Sequence, residues 1–237
     1  MARLFSLPCT DACSRKEFFE ACEFVAQVRA QLCCGAHVAP PSAQLIEIAG
    51  GHGLVGILLA CLERRRFPRV VIADRHKPPS FAVIRAAAAA VAPWVDDCVE
   101  YQEVDISTRF ARAPKEGGHR EHPDDERRAR PLLLPHGCAV VCVHACKSLT
   151  DEILHAAMEA RAESIAAMPC CYGHSHAAES APTAIRGALG VAVAADIQRT
   201  YDLVAAGYTV QWRYIPAAIT PMNRILLAKR LHAAEGE

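Results

Sequence analysis

The segment Glu47-Ile-Ala-Gly-Gly-His-Gly-Leu-Val-Gly56 does most to limit what this chain can fold into. It joins a short β-like apolar run at 43–49 to a helical stretch at about 53–66. Gly51, Gly53 and Gly56 spell G-x-G-x-x-G, a turn in which the backbone adopts positive φ and lets a ligand approach closely. The alternation it starts then repeats. A second strand is expected at 69–74, an alanine-rich helix at 79–91, a third strand at 99–105 and a central apolar strand at 138–144. A helix at 150–161 and a strand at 163–168 follow, then a loop, then a helix at 191–206 with Gly207 as its C′ residue. Thr150 is expected as the N-cap of the 150–161 helix, with Asp151 and Glu152 at the positive end of its dipole. Strands alternating with helices through short links imply a parallel sheet wound by right-handed crossovers. The last two strands, 208–215 and 224–229, are joined so briefly that they form an antiparallel hairpin.

Two regions stand apart. Residues 1–40 read as an N-terminal helical extension, with Phe18, Phe19, Cys22, Val25, Ala26 and Val28 at roughly helical spacing and Pro40 and Pro41 closing it. Residues 41–237 form the sheet domain. Within it, 112–131 is polar and mixed in charge, with no apolar period, and is expected to be an exposed, mobile insertion. The chain carries 26 basic and 26 acidic residues, which excludes nucleic-acid binding driven by bulk positive charge. Local clusters remain at Arg64, Arg65, Arg66, Arg69, Arg75 and Lys77, and at Arg127, Arg128 and Arg130. There is no apolar run long enough to span a membrane and no secretory apolar stretch. Twelve cysteines include the neighbours Cys33-Cys34 and Cys170-Cys171, which suit disulfide geometry poorly, so a reduced cytoplasmic protein is expected.

Acidic residues around the glycine loop set the type of cofactor. Glu47 lies in the strand before the loop, where a carboxylate can meet an amino-acid ammonium but would repel a pyrophosphate. Asp74 ends the second strand, a position suited to ribose hydroxyls, and Asp105 ends the third, where it can accept from an adenine amino group. This pattern favours S-adenosylmethionine over a nicotinamide dinucleotide. The expected cofactor contacts are Glu47, Ala49, Gly50, Gly51, His52, Gly53, Asp74, Arg75, Asp105, Ile106 and His144.

Reactive residue types gather after the fourth and fifth strands, whose carboxyl ends face the crevice where such sheets bind ligands. These are His144-Ala-Cys146-Lys-Ser-Leu-Thr-Asp151 and Pro169-Cys170-Cys171-Tyr172-Gly173-His174. Three readings of the cysteines stay open: small packing residues, a thiolate nucleophile with Cys146 beside Lys147, or ligands to zinc together with His144, His174 and His176. No metal is expected, because the spacing matches no zinc module. His144, Cys146, Asp151, Cys170, Cys171 and Tyr172 are the candidate catalytic residues. Tyr172 is placed to stack on a planar acceptor or to pack on the following helix. Asp196 and Arg199 are expected to form an ion pair within one helical turn.

The pairing of "HAC-x-x-x-TD" with "PCCYG" resembles a family of class I methyltransferases that includes the methyltransferase domain of the glutathione S-transferase C-terminal-domain-containing protein. Ala195-Asp-Ile-Gln-Arg199, Gly207-Tyr208 and Ile219-Thr-Pro-Met-Asn-Arg-Ile225 extend the likeness over residues 14–230. It is more distantly similar to the transfer-RNA acceptor-stem 2′-O-methyltransferases. Lys147 departs from the glycine usual after the "HAC" cysteine. The resemblance implies a Rossmann-like class I methyltransferase fold, α/β, with a seven-stranded, mostly parallel sheet in the order 3-2-1-4-5-7-6. It also implies methyl transfer from S-adenosylmethionine to RNA, transfer RNA first, through the local basic patches. The alternatives are a protein or small-molecule acceptor, an inactive cofactor-binding scaffold, and a protein partner that presents the substrate.

Overall fold

The computed structural model describes residues 12–32, 43–104 and 134–232. The 112–131 insertion, Pro40 and Pro41, Cys33-Cys34, Asp105, Ile106 and the arginines at 127, 128 and 130 lie outside those residues. In chain order the elements are α1 (Arg15–Leu32), β1 (Gln44–Ile48), α2 (Leu54–Leu62), β2 (Arg69–Asp74), α3 (Pro79–Ala89), α4 (Val95–Cys98), β3 (Val99–Glu103) and β4 (Ala139–Val143). After them come α5 (Leu149–Glu159), β5 (Ser164–Met168), α6 (His176–Ser180), α7 (Thr183–Leu189), α8 (Val191–Ala205), β6 (Tyr208–Tyr214) and β7 (Arg224–Arg230).

The seven strands form one sheet in the order β3-β2-β1-β4-β5-β7-β6. β1 to β5 are parallel, and β7 runs antiparallel to both β5 and β6. This is the α/β class I methyltransferase topology expected from the sequence. β1, β4 and β5 are apolar along almost their whole length because helices cover both faces of a parallel sheet. Glu47 is the buried polar residue of β1, paired in register with Ile72 on one side and Val141 on the other.

Helix α1 is built into the core. Phe24 and Val28 are fully buried in the same cluster as Leu45, Val70 and Val141, and the Ser164 hydroxyl donates to the Leu32 carbonyl across 3.1 Å. Burying a phenylalanine this deeply makes its truncation to alanine cost about 3–5 kcal/mol. Ser14 starts the helix through a reciprocal cap: Ser14 N donates to a Glu17 carboxylate oxygen at 3.0 Å, and Glu17 N donates to Ser14 Oγ at 3.2 Å.

Several local expectations change. Helix α2 ends at Leu62, before the run of arginines, rather than near residue 66. Thr150 is not a cap. Ser148 occupies that position, and the buried Thr150 hydroxyl donates to the Ala145 carbonyl at 2.5 Å. The loop expected after β5 contains two short helices, α6 and α7. Gly207 follows α8 with φ +87°, the left-handed conformation of a C′ residue.

Candidate active site

The chain leaves β1 toward β2 and returns, after β3, to β4 on the opposite side of β1. The carboxyl ends of β1 and β4 therefore flank the topological switch point, where open α/β sheets bind ligands. A cleft of about 190 Å³ opens there, room for far more than isolated waters. It is lined by Glu47, Ala49, Gly50, Gly51 and His52 from the first loop and by Val143 and His144 from β4. Glu17, Glu20 and Ala21 of α1 close its other side.

The glycine loop is shaped by two contacts. A Cβ on Gly53 would lie 2.5 Å from Ile72 Cδ1, and φ there is +74°. A Cβ on Gly56 would lie 2.6 Å from Glu47 Oε2. Because Gly56 lacks that atom, its N–H reaches Glu47 Oε2 at 2.7 Å and fastens the start of α2 to the end of β1. Asp74 holds the loop from the second strand: Gly51 N donates to Oδ2 at 2.7 Å and Arg75 N donates to Oδ1 at 2.6 Å. Each carboxylate oxygen keeps a lone pair for a ligand hydroxyl. The Tyr101 hydroxyl lies 2.8 Å from the Gly51 carbonyl oxygen and 2.9 Å from that of His76, so it also braces the turn.

Charge in the cleft is mainly negative. Glu47 is 3% exposed. Burial pushes its carboxyl up to about 8, and the Gly56 N–H bond pulls the other way. Hydrogen bonds from Ser14 hold the Glu17 carboxyl below its ordinary range. Glu20 is buried, with Oε1 3.2 Å from Lys16 Nζ and Oε2 3.1 Å from His144 Nε2. Burial lowers the His52 pKa, with Glu17 opposing, and His52 Nδ1 accepts from Leu54 N at 3.3 Å. A neutral His52 adds no positive charge to the cleft.

The other candidate residues form two groups beside the cleft. The sulfurs of Cys146, Cys170 and Cys171 lie 3.3, 3.4 and 3.6 Å apart. Asp151 and Tyr172 belong to a buried ionic network. Arg199 Nε reaches Asp151 Oδ1 at 2.7 Å, and Arg199 Nη1 reaches Asp196 Oδ1 at 3.0 Å, the ion pair expected from the sequence. Arg224 Nε and the Tyr172 hydroxyl both donate to Asp196 Oδ2 at 2.8 Å. Ala177 N donates to Asp151 Oδ2 at 3.2 Å. Arg199 and Arg224 also lie over the Tyr172 ring, 5.3 and 5.7 Å from its centroid. So the structure does not place Asp151 and Tyr172 with Glu47 and His144 in the cleft lining; it uses them to tie the β5 loop to α5, α6, α8 and β7.

Residues 15–177 match the model of a methyltransferase-domain family, more than half of the chain. The chain belongs to that family. This methyltransferase uses S-adenosylmethionine, and its cleft fits that cofactor: three carboxylates suit a ligand carrying both a sulfonium and an ammonium. Glu47, Glu20 and Glu17 would face the cationic end, the backbone at 49–53 would lie along it, and Asp74 would take the ribose hydroxyls. No curated protein matches the chain. Among solved structures, it is similar to the 23S rRNA methyltransferase ErmE, with 15% identity over 95% of this chain and 71% of that one and a TM-score of 0.46. A SAM-dependent methyltransferase from Aquifex aeolicus is similar at 10% identity over 95% and 94%, with a TM-score of 0.47.

The sequence alone does not single out Glu17 and Glu20 as site residues, because residues 1–40 read as an extension apart from the fold. The signal was present: Ser14-x-x-Glu17 is a capping box, and Glu20 interrupts the apolar face of α1 between Phe19 and Phe24.

Proposed function

We propose that this methyltransferase modifies RNA, with transfer RNA as its first acceptor, and acts in the cytoplasm. The observation that carries the reading is the meeting of the "HAC-x-x-x-TD" and "PCCYG" loops at the sheet edge that holds the carboxylate cleft. That pair of motifs resembles the methyltransferase domain of the glutathione S-transferase C-terminal-domain-containing protein and, further off, acceptor-stem 2′-O-methyltransferases.

The bound cofactor supplies an electrophilic methyl, so the chain contributes mainly proximity and orientation. Glu20 accepts from His144 Nε2, which leaves the Nδ1 lone pair to take up the acceptor's proton. The Asp151–Arg199–Asp196 network acts through position, holding the loop that carries Cys170, Cys171 and Tyr172. Asp105 is assigned to the adenine amino group and Ile106 to the cofactor.

The basic patch favours a second component. Arg69 is paired with Glu100 at 2.6 Å, and Arg64 lies on the Trp94 ring, so these side chains are less free to meet phosphate. A protein partner that presents the RNA fits this arrangement. Incubation with tritiated S-adenosylmethionine and bulk RNA tests the proposal. Label in the transfer-RNA fraction that is released by ribonuclease supports it. Label confined to protein or to small molecules overturns the RNA acceptor. Binding of S-adenosylhomocysteine with no transfer to any fraction, partner extracts included, points to a scaffold.

A further inference from the structure

The cysteines of this chain fall into two environments. Cys138 and Cys142 are 2% and 1% exposed within the sheet, and burial pushes both thiols up to about 12, so they pack as small apolar residues. Cys146 and Cys171 are exposed and Cys170 is half-buried, yet their sulfurs converge. Packing explains the first pair but not the second group, since an exposed thiol gains little from contact with two others. We infer that Cys146, Cys170 and Cys171 form a three-thiolate site for a thiophilic divalent cation of the zinc class.

The geometry is the main argument. A tetrahedral zinc–thiolate centre has metal–sulfur bonds of about 2.3 Å, which places neighbouring sulfurs about 3.8 Å apart. The three sulfurs here are already 3.3–3.6 Å apart, so an opening of a few tenths of an ångström admits the ion. The ligand atoms come from two loops, one after β4 and one after β5, held by adjacent parallel strands and by the Asp151–Arg199 pair between α5 and α8. Both loops are bent sharply beside their cysteines, with His144, Lys147 and His174 at φ of +61°, +60° and +59°. Non-glycine residues adopt that region at a cost, and such strain concentrates at sites that use it.

Binding is a substitution: one divalent cation forms three metal–sulfur bonds, three S–H bonds break, and three protons pass to solvent. The complex carries a single negative charge, which Lys147 is near enough to offset. With two of the three cysteines exposed, the fourth coordination position faces solvent, the arrangement of a catalytic rather than a structural zinc site. His144, which the spacing alone also offered as a ligand, does not join the three sulfurs among the described residues, and its Nε2 is paired with Glu20.

The test needs no knowledge of the methyl acceptor. Full-length protein is stripped with chelator, kept reduced, and titrated with cobalt(II). The expected result is one equivalent bound, with a near-ultraviolet sulfur-to-cobalt charge-transfer band. Cys146→Ser, Cys170→Ser and Cys171→Ser each remove about a third of that band and weaken binding more than roughly tenfold. Cys61→Ser leaves it unchanged, and S-adenosylhomocysteine binding confirms that each variant is folded. No charge-transfer band, or a band that survives in all three variants, overturns the inference. A second measurement uses unaltered protein. Zinc slows alkylation of these three cysteines by iodoacetamide, read by peptide mass spectrometry; equal alkylation with and without zinc overturns the site.

Discussion

At the β1–β4 crevice, Glu17, Glu20 and Glu47 line one cleft, and Lys16 pairs with Glu20. Beyond β5 the same residue types are handled in the opposite way. Asp151 and Asp196 meet Arg199 and Arg224 in a buried set whose formal charges cancel. Buried charge is costly unless paired. Where it is paired, as around Asp196, the product is a fixed backbone. Where its hydrogen bond comes from a backbone N–H rather than a cation, as at Glu47, burial keeps the carboxyl protonated in the empty cleft, and the charge appears when a cation binds. The contrast separates residues that hold a loop from residues that hold a ligand, although both sets lie at one edge of the sheet.

The strongest way to break the contrast is at Asp196. It is fully buried with three partners, so Asp196→Ala leaves two arginines without their shared carboxylate. The expected loss is about 3–5 kcal/mol of folding stability in denaturant titrations. Molecules that remain folded should bind S-adenosylhomocysteine as before. A loss of cofactor affinity without a loss of stability would show that the network is part of the ligand site.

Glu47→Gln tests the other side. Glutamine keeps an oxygen for the Gly56 N–H but removes the charge. In the folded protein the Glu47 carboxyl holds its proton up to about pH 8, while the unfolded chain releases it near 4.5. Between those values the folded state binds more protons, so the empty wild-type protein loses stability as pH rises, by up to a few kcal/mol, and levels off above about 8. The variant should lack that slope. Cofactor binding must expel the proton, so wild-type affinity should climb toward pH 8, by about tenfold per unit at most. The variant should bind more weakly and without that dependence. Calorimetry across pH 6–9 gives both readings.

Gly56→Ala is a smaller disturbance of the same carboxylate. The new Cβ, 2.6 Å from Glu47 Oε2, must displace either the carboxylate or the helix start. The expected cost is about 1–3 kcal/mol, with cofactor affinity falling in parallel. Gly187→Ala, where a Cβ meets nothing within 4 Å, is the control: it should leave cofactor affinity unchanged and, lying within α7, raise stability by up to about 1 kcal/mol.

The sheet order and the cleft's floor were readable because they rest on local pattern: apolar strands of period two or continuous run, glycines at fixed spacing, acids at strand ends. Gly51 and Asp74 lie 23 residues apart yet meet as the topology requires. What escaped was set by tertiary contact. The break that Glu20 makes in the apolar face of α1 is readable, but the cleft it faces depends on how α1 packs against the sheet. Thr150 and Ser148 both favour caps, and the choice between them was made by a hydrogen bond to Ala145. Of the two roles the sequence offers Tyr172, the structure takes packing on the following helices: it is 7% exposed against Ala177, Ala178 and Ala195, and its hydroxyl donates to a carboxylate 24 positions away, a bond no local pattern encodes.

Glu20→Gln sharpens the comparison with the smallest expected effect. Glu20 stands between the two modes, since it lines the ligand cleft and also holds a side chain in place. The amide oxygen can still accept from His144 Nε2, so the imidazole keeps its direction and loses only the charge-assisted part of the bond, about 1 kcal/mol. If Glu20 acts through His144, methyl transfer to bulk transfer RNA should fall roughly fivefold in kcat with the KM for S-adenosylmethionine little changed. A rise in that KM at constant kcat would instead make Glu20 a ligand of the cofactor's cationic end. Glu17→Gln, at the exposed rim and held by Ser14 rather than by His144, separates the two, because it should touch KM alone.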